Sequence, residues 1–413
     1  MNPLIFFWIP DPNTVTIHAE QITVMVCIMV EQKRLVNWHE SIESHLSEIF
    51  GGNLHAKRIE SLADATLGVI AGATLAVSLI GLSLAEAKGL TTKHAVKQVD
   101  RLMSNKGIDP WELFAYWVPE QVGTRKEIVV AVDWTDYDGD GQATLSLNLV
   151  TSHGRATPLL WLSMWKDELK GNRNDCEDSC LRRLAEVLPH GIKVTLLADR
   201  GFGDYKLFEF IDKIGFGFVI RFRGNIHVTA ADGETRLAAD WVGKGGRARK
   251  LRGAQVTTAQ AQVGSVVCVQ AKAMKEAWCL ATSDADASAK EVSDLYAKRW
   301  TIEPTFRDTK DLRFGMGLSK THISEPERRD RLLLLSAFAI FLLTMLGEAG
   351  ESLGMDRLLK VNTVKRRTHS LFRQGCMLYG LIPKMPEFRL VPLMRRFDEM
   401  IQRNRVLSVA FAA

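Results

Sequence analysis

The sequence lacks strong charge imbalance, clustered cysteine and internal repetition, and each shortage excludes something. Its 413 residues carry a formal net charge of only +5. If such a chain binds a polyanion, its basic residues must be concentrated locally, because phosphate contacts supply most non-specific affinity. The six cysteines, Cys27, Cys176, Cys180, Cys268, Cys279 and Cys376, are dispersed. No pair is matched by a second pair or by nearby histidines at zinc-site spacing, which reads as a reduced, cytosolic protein without structural zinc. There is no internal repeat and no low-complexity tract. Residues 65–85 carry no charge, but this stretch is built as much from Ala, Gly, Ser and Thr as from Leu, Ile and Val. Asp64 and Glu86 close it tightly and Gly72 offers a break, so two short buried helices are expected rather than a membrane span. The apolar run 332–346 is too short to span and reads as a core helix.

What is present suffices for two or three domains with real cores, since 46% of the chain is apolar. Residues 1–28 have neither a basic region ahead of their apolar patches nor a clear period. They read as a leader outside the native fold, with Met25 or Met29 as an alternative start. From His55 to Asn105 the pattern is helical and ends in a short basic helix, Thr92 to Ser104, with Thr91 or Thr92 as cap. Lys93, Lys97 and Arg101 step along one face; Val96, Val99, Leu102 and Met103 take the other. A basic amphipathic helix behind two apolar ones meets the requirement of a helix-turn-helix, although an ordinary surface helix has the same pattern.

A strand pattern follows. Ile128–Thr135 is almost wholly apolar apart from Asp133, and an acid inside such a strand is expensive unless it is paired or binds a cation. The next strands are Ala143–Val150 and Pro158–Leu162. Between the first two, DYDGDG begins like a calcium-binding EF-hand loop, but position 12 would be Leu147 where a bidentate Glu is needed, so a hairpin turn is expected. A helix near Cys176–Leu188 leads to a buried strand, Lys193–Ala198, ending at Asp199. Asp204–Ile214 reads as helix and Gly217–Phe222 as strand. Three meandering strands, helix, strand, helix and strand form the order of a ribonuclease-H-like α/β domain, in which the first strand lies beside the fourth and brings Asp133 to Asp199. Residues 224–284 lose the helical period, and strand-like runs at Ser265–Ala271 and Ala277–Thr282 make this segment a β-rich insertion. Its loop carries Lys244, Arg247, Arg249, Lys250 and Arg252 without an acid, which suits phosphate contact or simple solvation equally.

The stretch YAKRWTIEPTFRDTK, residues 296–310, places Tyr296, Arg299, Glu303 and Lys310 at offsets 0, 3, 7 and 14. On a continuous helix, at about 100° per residue, the four share one narrow stripe of carboxylate, cations and phenol. Pro304 is expected to kink that helix directly after Glu303. Geometry alone does not separate this from a solvated helix face, because Lys298, Arg307, Asp308 and Asp311 scatter around it. The spacing Tyr-x2-Arg-x3-Glu-x6-Lys, however, resembles the YREK signature of bacterial insertion-sequence DDE transposases. LHAKRIESL and TTKHAVKQVDRLMSN likewise resemble the N-terminal region of transposases from the tetracycline- and kanamycin-resistance composite transposons, where this region binds the terminal inverted repeat. The likeness runs from about Leu54 to Leu381.

That resemblance implies a helical DNA-binding domain at 29–125, a ribonuclease-H-like catalytic domain at 126–320 interrupted by 224–284, and a helical C-terminal region at 321–413. It implies Asp133, Asp199 and Glu303 as catalytic ligands of two Mg²⁺ ions, replaceable by Mn²⁺. Three converging carboxylates would otherwise repel one another and raise their own pKa values. Tyr296, Arg299, Lys310 and Arg221 would bind DNA phosphates. Trp278, in KEAWCLATS, would stack on a flipped base, although by spacing alone it is a core tryptophan. Lys93, Lys97 and Arg101 would read the repeat. The implied activity is cut-and-paste transposition through a hairpin at the transposon end, on double-stranded DNA, by a nucleoid-associated cytoplasmic protein whose protomers pair on DNA. A plain metal-dependent nuclease shares the acids but does not need the signature cations. A catalytically silent DNA-binding descendant would have lost an acid, and all three are present.

Overall fold

The computed structural model describes residues 38–313 and 315–409, with side chains to 402. The leader 1–28, its alternative start methionines and Cys27 lie outside the described residues. Five helices come first: α1 (Trp38–Phe50), α2 (Ala56–Gly72), α3 (Val77–Lys88), α4 (Thr92–Met103) and α5 (Pro110–Val122). The uncharged stretch breaks at Gly72 as expected, and α2 and α3 meet at 95°. Gly81 lets α3 approach α4, because a Cβ there would sit 2.5 Å from the Val96 Cα. Thr91 takes the extended cap conformation of α4 without a side-chain cap bond. Buried Asp64 ties this helical unit together, accepting from Lys88 Nζ at 2.6 Å and from Gln98 Nε2 on α4 at 2.6 Å, beside His39 Nε2 at 2.8 Å.

The strands follow: β1 (Glu127–Tyr137), β2 (Gln142–Val150), β3 (Ala156–Trp165), β4 (Lys193–Ala198) and β5 (Gly217–Phe222), with α6 (Arg173–Val187) and α7 (Tyr205–Lys213) between them. β1 to β3 are antiparallel neighbours, whereas β4 runs parallel to β1 on one side and to β5 on the other. The hairpin turn at DYDGDG forms, with Gly141 at positive φ. Its acids are engaged: Asp138 pairs with Lys166, and Asp140 with Arg329 and His322.

The segment 224–284 does not form a body apart from this sheet. It contributes β6 (His227–Thr229), β7 (Thr235–Leu237), β8 (Arg249–Arg252), β9 (Gln255–Val256), β10 (Ala261–Gln262), β11 (Ser265–Val269) and β12 (Trp278–Thr282). β12, β11 and β8 add to the far side of β5 and extend the sheet to eight strands in the order β3-β2-β1-β4-β5-β12-β11-β8. The remaining short strands form a sheet of four, β10-β9-β6-β7. Of the basic loop, Arg249 lies over the Trp241 ring and Lys250 Nζ donates to the Ala285 and Ala287 carbonyls. Lys244 and Arg247 remain exposed.

Beyond the sheet come α8 (Ala289–Ala297), α9 (Ile302–Lys310), α10 (Pro326–Ser352), α11 (Leu371–Leu381) and α12 (Glu387–Val409). α10 is long and apolar enough to cross a membrane, but 83% of its most apolar window is buried within the fold. It packs against α2, β3, α11 and α12, so its all-round apolar surface is that of a core helix. The helix expected over Tyr296–Lys310 with a kink directly after Glu303 is corrected in the position of its break. α8 stops at Ala297, a 3₁₀ turn fills Lys298–Thr301, and α9 begins at Ile302. Pro304 is the third residue of α9, where the missing N–H has no intrahelical partner to lose. The break therefore precedes Glu303 instead of following it.

Candidate active site

Three separate elements deliver the three acids. Val132 of β1 is registered with Ala198 of β4, so Asp133 and Asp199 each follow a paired residue on adjacent parallel strands. Asp199 stands directly after β4, where ligands of open α/β sheets gather, and Asp133 sits where the β1–β4 pairing ends. Glu303 stands exposed on the first turn of α9. Its charge and that of Asp199 both act on Asp133.

Asp133 is the most constrained of the three. Its Oδ1 accepts from the Trp134 N–H at 2.9 Å and its Oδ2 from Arg299 Nη1 at 3.0 Å. Burial pushes its carboxyl up to about 6, Arg299 opposes that, and the negative charges of Asp199 and Glu303 reinforce it. Asp199 caps the 3₁₀ turn Arg200–Phe202, its Oδ1 accepting from the Gly201 N–H at 2.8 Å. Turn capping leaves its other carboxylate oxygen available.

The signature cations turn inward. Arg299 is buried and spans Asp133 and the Tyr296 hydroxyl. Tyr296 itself is only 2% exposed, packed with Leu197, Val219 and Leu280, so any hold it has on phosphate passes through Arg299. Lys310 Nζ donates to the Asp136 carbonyl at 3.1 Å and lies over the Tyr137 ring. Trp278, half-buried at the start of β12, meets Tyr296 edge-on with centroids 4.9 Å apart. Arg221 on β5 pairs with Glu276 at 2.9 Å, and Glu276 also binds Arg200 at 3.1 Å. Glu276 was not visible as a partner in the sequence, though it lies two residues before β12, the strand that pairs with β5. Lys93, Lys97 and Arg101 are exposed along α4, apart from this group.

Hard carboxylate oxygens of this kind suit a divalent cation such as Mg²⁺. Among the described residues no three His, Cys, Asp or Glu side chains are already gathered closely enough to hold a metal ion. The residue types of Asp133, Asp199 and Glu303 fit such an ion. A separate cavity of about 840 Å³ lies at the other end of β1, lined by Arg125, His153 and Arg367 among others. It does not include the acids, of which Glu303 is exposed and Asp133 and Asp199 are half-buried.

The family model described as "Transposase DDE domain" matches residues 125–342, more than half of the chain and the whole span from before β1 into α10. No curated protein matches the sequence.

Proposed function

Because the chain belongs to the DDE transposase family, an enzyme family that acts on DNA, we propose that it binds the terminal inverted repeats of its own insertion sequence and catalyses Mg²⁺-dependent strand cleavage and transfer. One observation carries this reading: Asp133 and Asp199 on neighbouring parallel strands, with Glu303 close enough to act on Asp133 electrostatically. The strand order β3-β2-β1-β4-β5 with α6 and α7 supports a ribonuclease-H-like core, bearing the 224–284 insertion. Helices α1 to α5 then form the DNA-binding domain, with α3 and α4 as the helix-turn-helix.

Asp133, Asp199 and Glu303 would hold two divalent ions. When bound, such ions supply Lewis-acid stabilisation of the attacking and leaving oxygens of an in-line phosphoryl displacement. The chain's own groups do the rest. Arg299 and Lys310 leave Asp133 and the Asp136 carbonyl for backbone phosphates, with Tyr296 behind Arg299. Arg221 exchanges Glu276 for the DNA end. Trp278 offers its free face to a flipped base, offsetting part of an unstacking cost of a few kcal/mol. In each step an oxygen nucleophile, water or a freed 3′-hydroxyl, forms a bond to phosphorus while the bond to the departing oxygen breaks. Nicking, hairpin formation, hairpin opening and insertion can thus succeed one another at one site. Paired-end cutting requires two protomers on DNA.

The test is to incubate the protein and Mg²⁺ with labelled DNA from the flanks of its own gene. Nicks, then hairpins, then joined products are expected. Mg²⁺-dependent degradation without preference for the ends would favour a plain nuclease, and binding without cleavage a silent descendant.

A further inference from the structure

We propose that the four residues Arg328–Arg331, at the start of α10, are the joint that fixes α4 relative to the catalytic acids and so selects which phosphodiester is cut. The proposal rests on α4 being the repeat-binding helix and on the three acids being catalytic. Two of the four residues face the helical unit and two face the sheet. Arg328 Nη2 donates to Asp100 Oδ1 at 2.6 Å and Nη1 to the Ser104 hydroxyl. Buried Arg331 donates from Nε to the Ile108 carbonyl at 2.8 Å and from Nη1 to the Met103 carbonyl at 3.0 Å. Met103 ends α4, so Arg331 closes its last turn with a cation, the favoured charge there.

On the other side, Arg329 is fully buried. It donates from Nε to Gln142 Oε1 at 2.7 Å, binds Asp140 and lies over the Tyr137 ring. Asp330 Oδ1 accepts from the Ser163 N–H at 3.0 Å, and its carbonyl accepts from Trp161 Nε1 at 3.2 Å. Tyr137, Gln142 and Ser163 lie on β1, β2 and β3, so these links run directly into the strands that carry and flank Asp133. A further bond joins the same two bodies: the Leu75 N–H, between α2 and α3, donates to the Met316 carbonyl at 2.8 Å, in the loop that follows α9.

Guanidinium forks are directional, and buried Arg329 and Arg331 each bind at least two partners. Four consecutive residues anchored in opposite directions therefore leave little freedom between helix and sheet. That rigidity matters because successive nucleotides of a strand are only about 3.4 Å apart along the DNA axis. A joint that yielded by a few ångströms would place neighbouring phosphodiesters at the acids. Arg328 and Arg331 are thus positioning residues for the cut.

The experiment uses the full chain, Mg²⁺ and end-labelled terminal-repeat duplex, mapping nicks at nucleotide resolution. Arg328→Asp and Asp100→Arg should each keep repeat binding and total nicking within about threefold, while the share of nicks at the wild-type position falls by about half or more and neighbouring positions appear. The swap Arg328→Asp with Asp100→Arg should restore the single position, which a general loss of packing would not. Arg331→Met is the buried counterpart, expected to spread the nicks likewise; should it fail to fold, the Arg328 arm decides. Single variants that cut only at the wild-type phosphodiester would overturn the proposal, as would a swap that restores nothing. A wild-type protein that never nicks the repeat end would bring down the functional reading, and the joint with it.

Discussion

Arg299 donates to Asp133 across 3.0 Å, so a cation of the signature and an acid of the candidate triad form an ion pair. The pairing is incomplete in its effect. Burial still pushes the Asp133 carboxyl up to about 6 against the pull of Arg299, with Asp199 and Glu303 adding repulsion. Desolvation of the carboxylate thus outweighs its ion pair, and a cation bound beside it would relieve that strain.

Burying this carboxylate has a cost in stability with a definite sign. Folded Asp133 titrates at about 6, against an ordinary aspartate value of 3.8. Between those values the folded state holds a proton that the unfolded state has released, so stability falls as pH rises from about 4 to 6 and the full penalty stands above. It amounts to at most about 3 kcal/mol. Asp133→Asn should accordingly raise the thermal midpoint of the metal-free protein at pH 7.5, and the gain should shrink at pH 4.5. Mg²⁺ should stabilise the wild type and not this variant. A lower midpoint for Asp133→Asn at pH 7.5 would contradict the assignment of strain to this acid.

On α4, replacing Lys97 and Arg101 with Ala should weaken repeat binding and flatten its salt dependence by about 0.9 log units for each phosphate no longer neutralised. If the two residues read bases instead, discrimination between repeat and random DNA should drop by about 1–3 kcal/mol for each bidentate pairing removed. Both side chains are exposed, so folding should be unaffected. Filter-binding or anisotropy titrations across a salt series separate the cases, and unchanged binding in all of them would remove α4 from the interface.

Trp278→Ala should leave first-strand nicking largely intact and impair hairpin formation, since only the second step needs the flipped base. An abasic site at the flipped position should partly restore it. Because the ring also supports Tyr296, Trp278→Phe is the control that keeps most of that packing. Equal loss at both steps without rescue would return Trp278 to a packing role.

The order of strands and helices around the acids was legible because buried strands such as Lys193–Ala198 before Asp199, and Gly217–Phe222 shortly before Gly224, are short apolar runs ended by turn residues. Period and punctuation are local, and so were those inferences. The pairing of β12 with β5 was not legible, because nothing local in Trp278–Thr282 names its partner across more than fifty residues. The break before Glu303 was misplaced for a similar reason: Pro304 signals a helix boundary but not on which side it falls. Least visible was the Arg328–Arg331 run, which reads as ordinary charge at a helix start until the fold shows each residue's partner. Arg299 was found as a cation of the signature; only the fold shows that it holds Asp133.

Glu303→Gln tests the central claim most directly, because Gln is nearly isosteric, lacks the charge, and replaces an exposed side chain. Binding and cleavage should be measured on the same labelled repeat-end DNA with Mg²⁺. Binding should survive, while nicking, hairpin formation and strand transfer collapse together, since one set of acids serves every step. Asp133→Asn and Asp199→Asn should behave alike, and double variants should be little worse than singles, as for residues that act as a unit. A Glu303→Gln protein that cuts at the wild-type rate would contradict the account.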